Sequence, residues 1–173
     1  MLCPKSKCTG CLSCQNICPK NAIQIIIDEQ GFWQPKILQK KCINCHLCHK
    51  SCPVYANLEN TEKLSNTYAC WHKDNDKRQQ SASGGLFTAL MLQALNKDFY
   101  VVGATLTKEL TTKHIIIHQS KDYSLLIGSK YVQSFLDTVY QDIKKLLNQG
   151  KKVLFSGTPC QVSELYALKK TLS

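Results

Sequence analysis

The sequence predicts two folds in succession, a small α+β module followed by an α/β domain. Two observations predict the first: one cysteine spacing occurs twice at an offset of 34 residues, from Cys8 to Cys42, and an apolar strand–turn–strand pattern lies between the copies. Beyond residue 66, β-rich and helical patterns alternate, which is typical of α/β domains. A polar stretch over 57–66 is expected to be a linker. The predicted domains are therefore 1–56 and 67–173.

The repeated cysteines form two runs, Cys8-x-x-Cys11-x-x-Cys14-x-x-x-Cys18-Pro19 and Cys42-x-x-Cys45-x-x-Cys48-x-x-x-Cys52-Pro53. This is the ligand pattern of bacterial two-cluster ferredoxins, in which the last cysteine of each run serves the other 4Fe-4S cluster. Carried over by position, one cluster takes Cys8, Cys11, Cys14 and Cys52, and the other takes Cys42, Cys45, Cys48 and Cys18. The proline after each run lacks an amide hydrogen and ends the turn that carries the fourth ligand.

Two other uses of these cysteines stay open. Cys8, Cys11, Cys42 and Cys45 alone have the spacing of a structural zinc site, although four repeated cysteines would then have no role. Disulfides are the second alternative. The start of the chain shows no charged segment followed by an apolar stretch, so no secretion signal is recognised and reduced thiols are expected.

The charge excludes some classes of function. The chain has 22 Lys and Arg against 12 Asp and Glu, a formal net charge of +10. Because each oxidised cluster with four thiolates contributes about −2, we expect about +6 with both clusters bound. The lysines lie mostly in pairs or on helix faces, which indicates a solvated surface and no nucleic-acid partner. No apolar run approaches the roughly 20 residues of a membrane span, so a cytoplasmic protein is expected.

The apolar periodicity predicts the individual elements. In the first module, strands over 22–28 and 32–38 flank a turn at Gly31. In the second, helical spacing and β-rich runs alternate, and Gly150 ends the longest helix. The elements predicted there are a strand over 67–72, a helix over 86–96, strands over 99–106 and 113–119, a helix over 133–148, a strand over 151–156 and a helix to about 170.

Three polar or glycine-bearing segments of the second region lie where a ligand could bind. In Ser81–Gly85, Ser83 is expected to cap the following helix while the paired glycines let amides approach an anion. Gly157–Gln161 follows a strand, as phosphate-binding turns do. Gly128–Tyr131 offers an ammonium and a phenol. Ordinary caps and turns also explain each segment taken singly.

Four segments in order resemble the family of coenzyme F(420) hydrogenase/dehydrogenase beta-subunits: Ser81–Leu90, Val101–Ala104, Gly128–Ser134 and Lys152–Val162. Many bacterial members carry an N-terminal two-cluster ferredoxin, so the resemblance extends over essentially the whole chain. It implies a flavin-type domain that passes electrons between the clusters and a two-electron carrier, a deazaflavin in archaeal members. By motif matching, the residues on the FAD or FMN side are Ser83, Gly84, Gly85, Ser129, Lys130, Tyr131, Thr158 and Cys160. No catalytic residue is assigned.

Members of that family continue beyond the helix after Gly157–Gln161 into a further strand and a long C-terminal domain. The chain therefore resembles an N-terminal part, and we expect a redox partner protein or the missing C-terminal half to cover an unpaired sheet edge. Two functions follow. One is an iron–sulfur flavoprotein oxidoreductase that relays single electrons to a flavin or deazaflavin. The other is a ferredoxin-like electron carrier or interaction subunit with no catalytic activity of its own; a zinc-stabilised binding module is a third.

The remaining cysteines and two histidines are assigned separately. Cys160 lies near a helix N-terminus, which favours a thiolate and a ligand or redox role. Cys70 is expected in the core, and Cys3 is expected to be a mobile terminal thiol. His114 and His118 lie four residues apart on one strand and are expected to face solvent.

Overall fold

The structure, a computed structural model, describes residues 2–55 and 66–172, with the side chains of 167–172 left out. The predicted linker over 57–66 lies outside the described residues except for Asn66. Two units are present. The first comprises the described residues of Met1–Glu59, Leu136–Lys144 and Gly157–Ser173, and the second those of Asn60–Phe135 and Lys145–Ser156.

The first unit is thus assembled from three stretches of chain, and this grouping differs from the predicted division into 1–56 and 67–173. Hydrogen bonds tie the later stretches to each other and to the cysteine-rich stretch. The Tyr140 hydroxyl donates to the backbone carbonyl of Gln161 at 3.0 Å, and the side-chain amide of Gln141 donates to the backbone carbonyl of Asn16 at 3.4 Å. Tyr140 is fully buried. Periodicity along the chain does not reveal such long-range packing, so the sequence-based boundaries missed it.

The two cysteine runs have the same backbone conformation. Helix α1 (Ser13–Asn16) and helix α2 (Leu47–Lys50) begin at positions related by the 34-residue repeat, and each follows a left-handed residue, Leu12 with φ 63° and His46 with φ 59°. Two residues earlier, Gly10 and Asn44 also have positive φ, 64° and 53°. A left-handed residue followed by a helical turn directs backbone amides into one concavity, the arrangement found around many iron–sulfur sites.

The predicted strand–turn–strand between the runs is confirmed. Strand β1 (Ile23–Ile27) pairs antiparallel with strand β2 (Trp33–Ile37). Gly31 has φ +85° in the turn, and the Asp28 carboxylate accepts hydrogen bonds from the amides of Gln30 and Phe32 at 3.0 and 2.9 Å. These contacts fix the reversal that brings the second cysteine run back beside the first.

The second unit contains a three-stranded mixed sheet in the order β4-β3-β5. Strand β3 (Tyr100–Leu106) pairs antiparallel with β4 (Thr112–Ile117) and parallel with β5 (Val153–Phe155). A short helix α3 (Asn75–Gln80) and a longer helix α4 (Leu86–Asn96) precede it. Buried apolar side chains from α4, β3, β4 and the loop after β4 form its core, namely Met91, Ala94, Leu95, Val101, Ile117 and Leu126. The predicted helix over 86–96 and these three strands are confirmed.

The predicted strand over 67–72 is wrong. This segment has no regular secondary structure and pairs with no strand among the described residues, and its aromatic side chains Tyr68 and Trp71 are 78% and 63% exposed. Its backbone is held instead by a bond from the His72 amide to the carbonyl of Gly84 at 2.7 Å. Cys70 is exposed, so the expectation that it lies in the core is also wrong.

The long helix predicted over 133–148 begins six residues later than expected, as α5 (Val139–Asn148). The residues before it are extended because they bond to the edge of β4: the Phe135 amide donates to the carbonyl of Thr112, and the His114 amide donates to the carbonyl of Phe135, both at 2.9 Å. Leu136 is buried without being helical, which is why the apolar spacing suggested a longer helix. Gly150, with φ +72°, ends the helix as predicted.

The last helix, α6 (Pro159–Leu172), follows the Gly157–Gln161 turn as expected. Over the described ranges, no helix is both long enough and apolar enough to cross a membrane.

Candidate metal centre

Two cavities lie among the cysteine runs of the first unit. Cavity I has an empty volume of about 460 Å³, part of it open to solvent. The thiol of Cys14 lies near those of Cys11, Cys8 and Cys52. The structure therefore brings three cysteines of the first run together with the last cysteine of the second. Cysteines that line cavity I are Cys3, Cys8, Cys11, Cys14, Cys48 and Cys52.

Cavity II has an empty volume of about 360 Å³, also partly open. Its cysteines belong to the second run except for Cys18, which comes from the first, and the thiol of Cys48 lies near those of Cys18 and Cys45. Each cysteine run thus contributes its last cysteine to the cavity that the other run lines. Cysteines that line cavity II are Cys18, Cys42, Cys45 and Cys48. The walls of both cavities are otherwise largely apolar, with Ile25 and Trp33 in the first and Ile37 and Leu47 in the second.

Hydrogen-bond donors point at several of these sulfur atoms. The backbone amide of Ala22 donates to Sγ of Cys18 at 3.2 Å. The amide of Ser13 and the side chain of Thr9 donate to Cys11, and the amide of His49 donates to Cys48. Such bonds stabilise thiolates and help to set the reduction potential of a cluster.

Burial keeps the thiols of Cys11 and Cys14 protonated when no metal is bound. It raises the pKa of Cys11 to about 11 and raises the pKa of Cys14 further, with the neighbouring thiols acting in the same direction. Cys11 and Cys14 would have to lose these protons to hold iron, and the positive charge of the metal would stabilise the resulting thiolates. Among residues 2–55 and 66–172, no three His, Cys, Asp or Glu side chains converge tightly enough to hold a single metal ion. Thiols spread over the walls of a cavity, with amides directed at the sulfur, fit a 4Fe-4S cluster in each cavity.

Cys3 occupies a place that differs from its expectation. It is half-buried and lines cavity I, so the prediction of a mobile terminal thiol is wrong. A short 3-10 turn over Lys5–Lys7 reverses the chain between Cys3 and Cys8. The amides of Lys7 and Cys8 donate to the carbonyls of Pro4 and Lys5 at 2.9 and 3.3 Å.

A buried carboxyl group adjoins the first run. Glu164 of α6 is 0% exposed, and burial raises its pKa to about 7. Its Oε2 is hydrogen-bonded to the hydroxyl of Ser13, which also bonds to the carbonyl of Ser51 at 2.9 Å. A serine hydroxyl has one proton, and a carbonyl can only accept, so both bonds form together when Glu164 is protonated and donates. The site thus includes an acid that the sequence did not indicate.

Of the eight flavin candidates, six lie in the second unit. Ser83 is exposed and does not cap α4, which corrects that prediction: Gly85, with φ +75°, is the N-cap and no side chain caps the helix. Gly84 has a structural reason to be glycine, because an added Cβ would lie 2.6 Å from the carbonyl of Cys70. The hydroxyl that supports this turn is that of Ser81, which is 2.6 Å from that of Thr88.

The other candidates have local partners or are exposed. The Lys130 ammonium donates to the carbonyl of Ile127 at 2.7 Å, and burial lowers its pKa. Ser129 is exposed, and Tyr131 is 94% exposed. Thr158 and Cys160 belong to the first unit, where their side chains are 3.2 Å apart. Neither cavity I nor cavity II is lined by any of the eight.

His114 is a further polar residue whose environment was predicted wrongly. It is 5% exposed, with Nδ1 2.7 Å from the hydroxyl of Ser134 and Nε2 3.0 Å from the carbonyl of Ser156. Burial lowers its pKa, so it is neutral. His114 lies two residues after the buried Thr112 on β4. Because alternate residues of a strand face the same side, both side chains lie on its inner face. His118 is partly exposed and stacks on Tyr100 with ring centres 4.0 Å apart.

Comparisons with known proteins agree with the metal centre. Residues 7–56 match the family model of the 4Fe-4S dicluster domain. The chain is 21% identical to the F component of the F(420)H(2) dehydrogenase of Methanosarcina mazei over 96% of its own length and 49% of that protein. It is 39% identical to an uncharacterized polyferredoxin-like protein of Methanocaldococcus jannaschii over 28% of its length and 34% of that protein. The chain thus spans about half the length of the first relative and a third of the second.

The dicluster match and the two relatives define the class. The chain is an iron–sulfur protein with a 4Fe-4S dicluster domain, and its function is electron transfer.

Proposed function

We propose that each cavity binds one 4Fe-4S cluster through crossed ligands and that the chain relays single electrons to a flavin as part of an oxidoreductase. The observation that carries the first half is the reciprocal exchange of Cys18 and Cys52 between the two runs. Proposed ligands are Cys8, Cys11, Cys14 and Cys52 for the first cluster and Cys42, Cys45, Cys48 and Cys18 for the second.

The residues around the clusters exclude water and set the potential, while the clusters supply the one-electron chemistry. In cavity I, Trp33 and Ile25 provide apolar walls of low dielectric. More of the lining of cavity II is exposed, since Cys45 and His46 are open to solvent and Ile43 is 56% exposed. We therefore assign the second cluster to electron exchange with the redox partner protein, because electron transfer requires close approach to an exposed edge.

The flavin half of the proposal rests on different support. The four-segment resemblance supports it, as does the alignment of 96% of the chain with a component of an F(420)H(2) dehydrogenase. In this proposal the clusters deliver electrons singly and FAD or FMN pairs them for a deazaflavin or another two-electron acceptor. Because the chain spans 49% of that relative, the rest of the site comes from a C-terminal half or a partner chain.

A second function is an electron carrier or interaction subunit without its own catalytic activity. One observation favours it: Gly84 is accounted for by backbone packing, since an added Cβ would lie 2.6 Å from the carbonyl of Cys70. The polyferredoxin-like relative matches 28% of this chain.

Analysis of iron, sulfide and flavin in anaerobically purified protein tests both functions. We expect about eight irons and about eight inorganic sulfides per chain, because each cluster contains four of each. Bound flavin supports the oxidoreductase. Protein that contains about eight irons but no flavin supports the electron carrier. Protein that contains zinc and no acid-labile sulfide contradicts both.

A further inference from the structure

Cavity I has one more thiol than its cluster needs. Four of its six cysteines form the first ligand set, and Cys48, which lines both cavities, belongs to the second set. The remaining one is Cys3, whose thiol lies within hydrogen-bonding reach of those of Cys8 and Cys52. Cys3 is half-buried at the wall of this cavity.

Cavity II offers a direct comparison. The repeat of 34 residues relates Cys3 to Ile37, and Ile37 lines cavity II as Cys3 lines cavity I. Both cavities therefore have a side chain at the corresponding place on the wall, but only the first can bind iron there. The two sites are alike in their four repeated ligands and differ in this fifth position.

Of the two proposed ligands beside Cys3, Cys52 is the one that arrives from the other run. Cys8, Cys11 and Cys14 lie on one loop, whereas Cys52 reaches the cavity only when the second run has folded against the first. Cys3 is joined to Cys8 by the single turn over Lys5–Lys7, so closing the loop between them costs little chain entropy.

We propose that Cys3 is an alternative ligand of the first cluster, able to replace Cys52 on the same iron. The inference rests on the proposed clusters. In the exchange, the bond between iron and Sγ of Cys52 breaks, the bond between iron and Sγ of Cys3 forms, and a proton passes from the Cys3 thiol to the Cys52 thiolate. No electron is gained or lost. Residues 3–14 then hold a complete set of four thiolates for the first cluster without the second run.

The test compares the two crossed ligands, Cys52→Ala and Cys18→Ala, in the full chain. Iron and sulfide are measured on anaerobically purified protein, together with the EPR spectrum after reduction. We expect Cys52→Ala to keep about eight irons and Cys18→Ala to lose about four, because Ile37 offers no ligand. We expect Cys3→Ala to keep about eight, and the double variant Cys3→Ala/Cys52→Ala to fall to about four.

Equal loss of iron from Cys52→Ala and Cys18→Ala overturns the proposal, as does a double variant that keeps as much iron as Cys52→Ala alone. The alanine change also removes volume beside Pro53, so Cys52→Ser is measured in parallel. Loss of about four irons from both Cys52→Ala and Cys52→Ser also overturns the proposal. Unaltered protein separates the two inferences. If it contains no iron and sulfide, the proposed function fails; if it contains about eight of each, the variants test Cys3 alone.

Discussion

Replacing Cys11 with alanine is expected to remove the first cluster and to destabilise the cysteine-rich unit more than loss of any apolar side chain. Cys11 receives hydrogen bonds from Ser13 and Thr9 and lies beside Cys14. Cys3 contacts Cys8 and Cys52, so it is not placed to replace Cys11. With one iron lacking a thiolate, iron content should fall from about eight to about four, or to about seven if a three-iron cluster remains.

The loss of stability follows from what the cluster connects. In the proposed ligand set it joins the first run to Cys52, and a site of this kind does not exist in the unfolded chain, so its binding free energy is folding free energy. Thermal unfolding followed by visible absorption and far-ultraviolet circular dichroism checks this. Cys70→Ala is the matched control, because Cys70 is exposed and lies in the second unit. Unchanged iron content in Cys11→Ala contradicts the ligand assignment.

Stability is expected to fall as pH rises through about 7 because of Glu164. Burial raises its pKa from 4.5 in the unfolded chain to about 7 in the folded one, so the folded state binds the proton more tightly. The contribution is fully present below pH 4.5 and is lost as pH rises through 7. At about 1.4 kcal/mol for each pH unit of difference, the loss is about 3 kcal/mol. A negatively charged cluster beside Ser13 acts in the same direction.

Glu164→Gln tests this expectation, because glutamine keeps the shape of the side chain and does not titrate. The unfolding midpoint of the holo protein, measured anaerobically from pH 5 to 9, should fall as the pH rises from 5 to about 7 in the unaltered chain and level off above that, and the variant should lose this fall. Infrared difference spectra should show the carbonyl band of a protonated carboxylic acid that disappears near pH 7 and is absent from Glu164→Gln. Glu109→Gln is the control, since hydrogen bonding from Thr107 lowers the pKa of that exposed group. An unaltered chain with no such transition contradicts a protonated Glu164.

The metal centre was predictable because its signal is local. Eight cysteines at fixed spacings predict the ligands of two clusters, and the offset from Cys8 to Cys42 predicts the repeat that the left-handed Leu12 and His46 display. The conformation of Leu12 itself was not predictable, because leucine rarely adopts positive φ and does so here to direct amides inward.

What the sequence did not reveal depends on contacts distant in the chain. Glu164 lies 151 positions after the serine to which it bonds, and no spacing rule links them. The first six residues of the predicted helix over 133–148 have a suitable apolar pattern, yet Phe135 bonds to the edge of a strand instead. The sequence around Cys3 does not distinguish it from other cysteines near a chain terminus. In the structure, the turn over Lys5–Lys7 places it at the wall of cavity I.

Low-temperature EPR of dithionite-reduced, anaerobically purified protein tests the central claim most directly. We expect the signal of reduced 4Fe-4S clusters, broadened by magnetic interaction between the two, because Cys48 lines both cavities and keeps them close. A colourless sample with no signal and no inorganic sulfide contradicts the assignment of two clusters to these cysteines.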